Sequence, residues 1–313
     1  MAKIYNLEYP NYESLGYVVA TANLYDKHDR SAPSDFHWKI LKCRMIIFSH
    51  PSVLASPDKC DVKKVHIIFT RRGEDYDRLN SLFLRFSLIQ DGDIRKVDSD
   101  TYKMCFYYTM GAKMAPTWNT LGYNYFISNR NFLTTVGIQE GIQCFCSVND
   151  NIIALELKPV KINLMRCNDK YYPGECIRVL PSLNKATIEE YYEAVPKTSD
   201  FKCYKDLRRH WKNIHGYRLP EEERPCYSVR FWRGDPLTYP DICLTRAFPI
   251  ITPMSKSAEK AVLEKFMNCL KSKMSHMLGY PLNINKQICE HSSNESHVIT
   301  QAVSLCTPTQ HAK

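Results

Sequence analysis

The chain has 313 residues, of which 44% are hydrophobic and 24% charged, the balance of a folded protein and not of a disordered or membrane-embedded one. Its formal net charge is +9 with histidine neutral and its pI is about 8.8, which favours acidic partners but falls short of the basicity that alone marks a nucleic-acid binder. A chain of this length buries a sizeable core and stands where single cores begin to divide.

The opening "MAKIYNLEYPNYESLG" lacks the basic segment and apolar stretch of a signal peptide, and no window approaches the ~18 apolar residues of a membrane span. An intracellular protein is expected, with no membrane partner and with nucleus or cytoplasm left open. Thirteen cysteines are scattered from Cys43 to Cys306 without paired spacing. Free thiols used as small hydrophobes fit that distribution better than a disulfide framework.

Along the chain, Leu15–Tyr25 is β-rich and reads as an opening strand. "SDFHWKILKCRMIIF" sets Phe36, Ile40, Cys43 and Ile47 at helical spacing behind Ser34 as N-cap. Lys64–Thr70 reads as a strand and Arg78–Ile89 as a helix. In "QDGDIRKVD", Asp91 and Asp93 could bind a metal on a loop, but such a stretch reads more simply as a turn. Gln143–Lys158 is the clearest β signal, a hairpin about Asn149-Asp150-Asn151. Ala186–Ala194 and Tyr204–Ile214 read as helices, and Cys226–Trp232 alternates as a strand. The last long helix carries Val262, Phe266, Leu270 and Met274 in one stripe, with Ser257 as N-cap and Gly279 past its end.

Strands and helices alternate without regular βαβ spacing, so the fold class expected is α+β, with mixed or antiparallel sheets and packed helices. One large domain is expected over residues 1–287, with possible lobes at about 1–165 and 166–287, and a polar, disordered tail over 288–313.

"CYKDLRRHWKNIHGYRLP", Cys203 to Pro220, raises the sharpest functional question, because its two histidines are spaced as in the second half of a zinc finger. A finger needs a cysteine with twelve residues between it and His210, and that position is Lys197. Two imidazoles and Cys203 do not close a tetrahedral site, so the finger fails. What remains is a helix with Lys205, Arg208, Arg209 and Lys212 on one side and Leu207, Trp211 and Ile214 on the other. The cations form either a solvated face or a phosphate-contacting one. His210 reads as a hydrogen-bonded core or boundary histidine. Cys144 and Cys146 share one strand face as core filling or, with no second pair, as incomplete metal ligands; Cys289, His291 and His297 are at most adventitious ligands. Dinucleotide, P-loop, hydrolase and metalloprotease motifs are lacking, so neither catalysis, cofactor, metal nor small-molecule substrate is expected.

"MAPTWNTLGYNYFISNRNFL", "VLPSL", "YKDLRRHWKNIHGYRLP", "LTYP" and "LKSKMSHMLGYPLNI" occur in that order between about Phe36 and Ile284. Together they resemble an uncharacterised animal family, a domain of unknown function typified by the product of an open reading frame on human chromosome 18. The resemblance rests on Ala115-Pro116, Trp118-Asn119, Arg209-His210-Trp211, Gly216-Tyr217 and Leu219-Pro220, and it carries no activity and no binding residues. It implies that the human member has tyrosine at position 215 and lacks the cations at 205, 208 and 212. It also implies a longer polar tail there, which fits an interaction module better than a metabolic enzyme. His210, Trp211, Gly216, Tyr217 and Pro220 also make structural sense, as a helix anchored by tryptophan and stopped by glycine and proline. The expectation is therefore a non-catalytic interaction or scaffold module with an unidentified protein partner. The alternatives are nucleic-acid binding through Lys205, Arg208, Arg209 and Lys212, and an enzyme with an unrecognised site.

Overall fold

The computed structural model describes residues 2–286 apart from 9, 23–34, 62, 72, 150, 151, 167, 168 and 233, with the backbone only at 35, 36 and 286. Ser34, Asp150, Asn151 and the tail with Cys289, His291 and His297 lie outside the described residues.

In chain order, β1 (Lys3–Glu8), β2 (Leu15–Ala22), α1 (Asp35–Ser49), β3 (Val53–Pro57) and β4 (Lys64–Thr70) lead into α2 (Asp75–Arg85), β5 (Leu88–Arg95) and α3 (Ser99–Met114). Short β6 (Trp118–Leu121) and β7 (Tyr125–Ser128) precede the two longest strands, β8 (Ile138–Asn149) and β9 (Ile152–Asn163). Then come β10 (Cys176–Val179), β11 (Asn184–Tyr192), α4 (Tyr204–His215), β12 (Cys226–Arg230), β13 (Leu237–Pro240) and β14 (Leu244–Thr245). The described chain closes with β15 (Ile250–Pro253), α5 (Lys256–Lys273), β16 (His276–Met277), β17 (Tyr280–Pro281) and β18 (Ile284–Lys286).

The strands form antiparallel sheets, and the fold is α+β. A four-stranded sheet runs β3-β4-β2-β5, a seven-stranded one β18-β1-β9-β8-β7-β6 with β15 also on β9, and a five-stranded one β13-β12-β11-β10-β14. The strand alternation of two explains the layering. In the four-stranded sheet, Val18, Ala20, Ile67 and Phe69 face α1 and α2, whereas Tyr17, Val19, Leu54 and Ile68 face α3. Helix α3 is buried between that sheet and the seven-stranded one, where Cys144, Cys146, Leu155 and Leu157 meet Cys105, Phe106 and Met110. The far end of β9 buries Val160 and Ile162 against α4 and the five-stranded sheet. Among the described residues no helix is long and apolar enough to cross a membrane.

Several expectations need correction. The helix expected at Arg78–Ile89 begins earlier, where Asp75 and Asp77 favour its positive end, and it stops at Arg85. Ser87 then takes a positive φ of 56°, and Leu88 and Ile89 pair with β2 as the start of β5. Asp91 and Asp93 therefore lie on a strand and not in a turn, with Asp91 2.9 Å from Lys64. Residues 186–192 are strand β11, not helix: Ala186 and Ile188 point inward and the strand pairs on both edges, which overrides its Glu-rich helical propensity. The N-cap of α5 is Ser255 and not Ser257, and Gly279 turns the β16–β17 hairpin rather than capping a helix. Strand β1 and helix α3 were not foreseen from the pattern. Helix α3 is apolar nearly all round, because it is covered on both sides, so it shows no amphipathic stripe.

Candidate functional site

Helix α4 buries Leu207, Trp211 and Ile214, the stripe that its sequence spacing predicts, and Tyr204 besides. Gly216 ends it at φ 75° and donates its N–H to the Lys212 carbonyl at 3.1 Å. Trp211 is 2% exposed and meets the Tyr239 ring edge-on at 5.3 Å. Tyr217 packs edge-to-face on Phe132 at 4.8 Å and donates its hydroxyl hydrogen to the Thr120 carbonyl. Trp211, Gly216 and Tyr217 thus anchor one helix and its exit.

The outer face of α4 lines a groove of about 470 Å³. Lys205, Arg208, Arg209 and Lys212 all border it, with Pro220 at its margin. Two further cations were not recognised in the sequence: Arg130, from the loop after β7, and Arg218, just beyond the helix stop. The loop that presents Arg130 is held firmly. Asn129 accepts the Asn131 N–H at 2.9 Å, and Arg166 donates to the carbonyls of Phe132, at 2.9 Å, and Leu133. Acidic groups reach only part of the groove: Arg208 meets Glu221 at 3.2 Å and Arg209 meets Asp206 at 3.8 Å. Lys205, Lys212, Arg130 and Arg218 have no ion-pair partner among the described residues. From Lys205 to Lys212 the stripe is about 10 Å long along the helix axis.

The opposite flank of α4 carries a second cluster. The rings of His37, on α1, and His210 lie 4.6 Å apart at 74°, and those of His210 and His215 6.4 Å apart at 83°. One ring nitrogen from each of the three falls within 4.8 Å of the others. Burial lowers the pKa of His37 to about 4 against the opposing pull of Asp200, and that of His210 to about 3, helped by His37. His215 is driven well down for the same reasons, so all three rings are neutral at neutral pH. His210 is thus a boundary histidine, set against rings rather than in the core. His37 and His215 also border a cleft of about 670 Å³ beside Arg44, Tyr108, Asn184 and Asp235.

The remaining candidates have structural places. Cys144 and Cys146 both lie in the core, where burial raises the pKa of Cys144 and pushes that of Cys146 up to about 12. All ten described cysteines are free thiols, six of them buried.

The sequence matches the family model of a domain of unknown function (DUF4708) over residues 3–172 and 172–252. Solved structures with some likeness include Marinitoga piezophila Argonaute in complex with 5′ OH guide RNA and target DNA. It is 10% identical, with a TM-score of 0.37 over 88% of this chain and 35% of that one. Drosophila Piwi is 9% identical, with a TM-score of 0.36 over 91% of this chain and 42% of its own. For A. aeolicus Argonaute the figures are 10%, 0.34, 92% and 44%. The chain spans less than half the length of each, and scores this low support no inference about function.

Proposed function

This chain belongs to the family of the domain of unknown function (DUF4708), and from that premise we propose that it binds nucleic acid through the groove on α4. The observation that supports this reading is convergence. Six cations from three parts of the chain border one groove, against the single carboxylate of Glu221. An ordinary solvated helix face accounts for the four cations of α4, but gives no reason for Arg130 and Arg218 to be aimed at them.

In this reading the cations replace counterions along a phosphate backbone, so binding is governed by charge and tolerant of sequence. With about five phosphates neutralised, log K should fall against log salt with a slope of roughly −3.5 on single strands and −4.5 on duplex. No catalytic step belongs to the proposal. An intracellular location goes with it, supported by the free described thiols. Kinship with the human chromosome-18 member goes with it too, on the motifs quoted above.

The test is fluorescence anisotropy with single- and double-stranded DNA and RNA at low and physiological salt. The comparison is a variant carrying Lys205→Glu, Arg208→Glu, Arg209→Glu and Lys212→Glu. Salt-sensitive binding that the variant loses supports the groove. Absence of binding, or binding that survives the four changes, overturns it and returns the protein-interaction reading.

A further inference from the structure

Three imidazoles from two helices meet at the inner flank of α4, away from the basic groove. We propose that His37, His210 and His215 hold one divalent transition-metal ion of the zinc class through three ring nitrogens.

The geometry carries this. A tetrahedral zinc with Zn–N distances near 2.0–2.1 Å sets its nitrogens about 3.4 Å apart. The three nitrogens lie within 4.8 Å of one another, so closing on an ion requires side-chain shifts of at most about 1.4 Å. Helix α4 supplies two of them from residues five apart, and α1 supplies the third from a buried position, 7% exposed. The rings bound a small cavity of about 20 Å³ together with Asp200. That is room for a single ion or water. Rings pack on the α4 histidines, Phe201 5.0 Å from His210 and Trp211 4.8 Å from His215, and neither of these two rings offers an acceptor to a histidine nitrogen. Asp200 borders the same cavity and acts on His37 by its charge, so a carboxylate lies near the ligand set, as is common around zinc-bound histidines.

Three nitrogens leave a fourth position, and its direction follows from the cavities. His37 and His215 border both the small cavity and the 670 Å³ cleft. The open position therefore faces the cleft, an arrangement of reactive rather than structural zinc. Arg44 lies in the same cleft and favours an anionic fourth ligand, hydroxide or carboxylate. The exclusion of a zinc finger stands. This ligand set is not a finger's, because its third member comes from another helix and no thiolate takes part.

The test uses the full chain, untagged and stripped by chelation, titrated with Co(II) and then with competing Zn(II). The stoichiometry is counted by mass spectrometry. One ion per chain is expected, with the visible bands of tetrahedral Co(II) and no thiolate charge-transfer band. His210→Ala and His215→Ala should each weaken Co(II) binding by at least about tenfold, the loss that removing even an outer partner can cause. A variant with Cys289→Ser, His291→Ala and His297→Ala should keep full binding. No bound ion, a thiolate band, an octahedral spectrum, retention by the histidine variants or loss in the tail variant would each overturn the site. If a histidine variant fails to fold, the spectrum of the unaltered chain still decides. The four-glutamate groove variant should bind Co(II) normally, so the two proposals fail separately.

Discussion

Gly216 packs directly on the methyl group of Ala115: a β-carbon added to the glycine would stand 2.7 Å from that of the alanine. The contact fastens the exit of α4 to the end of α3, so the helix stop also sets where the helix lies.

Gly216→Ala combines two costs, a left-handed backbone at φ 75° and a collision with Ala115. The backbone alone costs about 1–2 kcal/mol, so a total of roughly 3 kcal/mol is expected once overpacking is added. Gly137, at φ 86° with nothing within 4 Å, carries the strain without the collision. Urea unfolding of both alanine variants should show Gly216→Ala losing about 1–2 kcal/mol more. Equal losses would mean that Ala115 yields freely.

Arg130→Ala with Arg218→Ala should weaken binding of every nucleic acid tested by a similar factor. Each change should reduce the salt slope by about 1. Anisotropy titrations at three salt concentrations measure this. A slope that stays the same would remove both arginines from the interface.

Acid stability should respond to Asp58. Burial would raise its pKa, but N–H donors of Asp61 and Cys60, each at 2.7 Å, and the His66 ring, at 2.7 Å, outweigh it and hold it at about 2. The folded carboxyl thus binds its proton less readily than the unfolded one. Its contribution is full above about pH 4 and is lost as pH falls through about 2. After allowance for solvent screening that contribution is about 1 kcal/mol. Unfolding free energies measured from pH 5 to pH 2 should therefore fall less steeply in Asp58→Asn than in the natural chain. Some slope remains, because Thr101 donors hold down Asp98 as well.

Thr109→Val should be costly although it conserves shape. The Thr109 hydroxyl accepts the Ala55 N–H at 2.9 Å and donates to the Ala55 carbonyl at 3.1 Å, closing the free edge of β3 against α3. Valine leaves both backbone groups buried without partners, at about 1–3 kcal/mol each. A melting temperature within a degree or two of the natural chain's would show that the edge finds other partners. Thr109→Ser should restore most of the loss.

How much of this was written in the sequence varies from element to element. Helix α4 was legible in full, its buried stripe, cationic face and glycine stop included, because spacing and a left-handed C′ residue are local properties. So was β4, and of the β8–β9 pair the stretch Gln143–Lys158 was legible, although the strands run on to Ile138 and Asn163. Strand β11 was not, since its Glu-rich segment is helical by propensity and only pairing with β10 and β12 makes it a strand. Helix α3 was hidden for the opposite reason: a helix covered on both sides has no polar face to mark its period.

The site divides in the same way. The sequence by itself determined the four cations of α4, because residues three and four apart share a helix face whatever the rest of the chain does. Only the tertiary structure decided that Arg130 and Arg218 join them, and that His37 meets His210 and His215. Arg130 and His37 come from a loop and a helix remote in the sequence, and Arg218 from the chain that turns back after the helix stop. Local periodicity carries no information about contacts that close only when the sheets and α3 have packed.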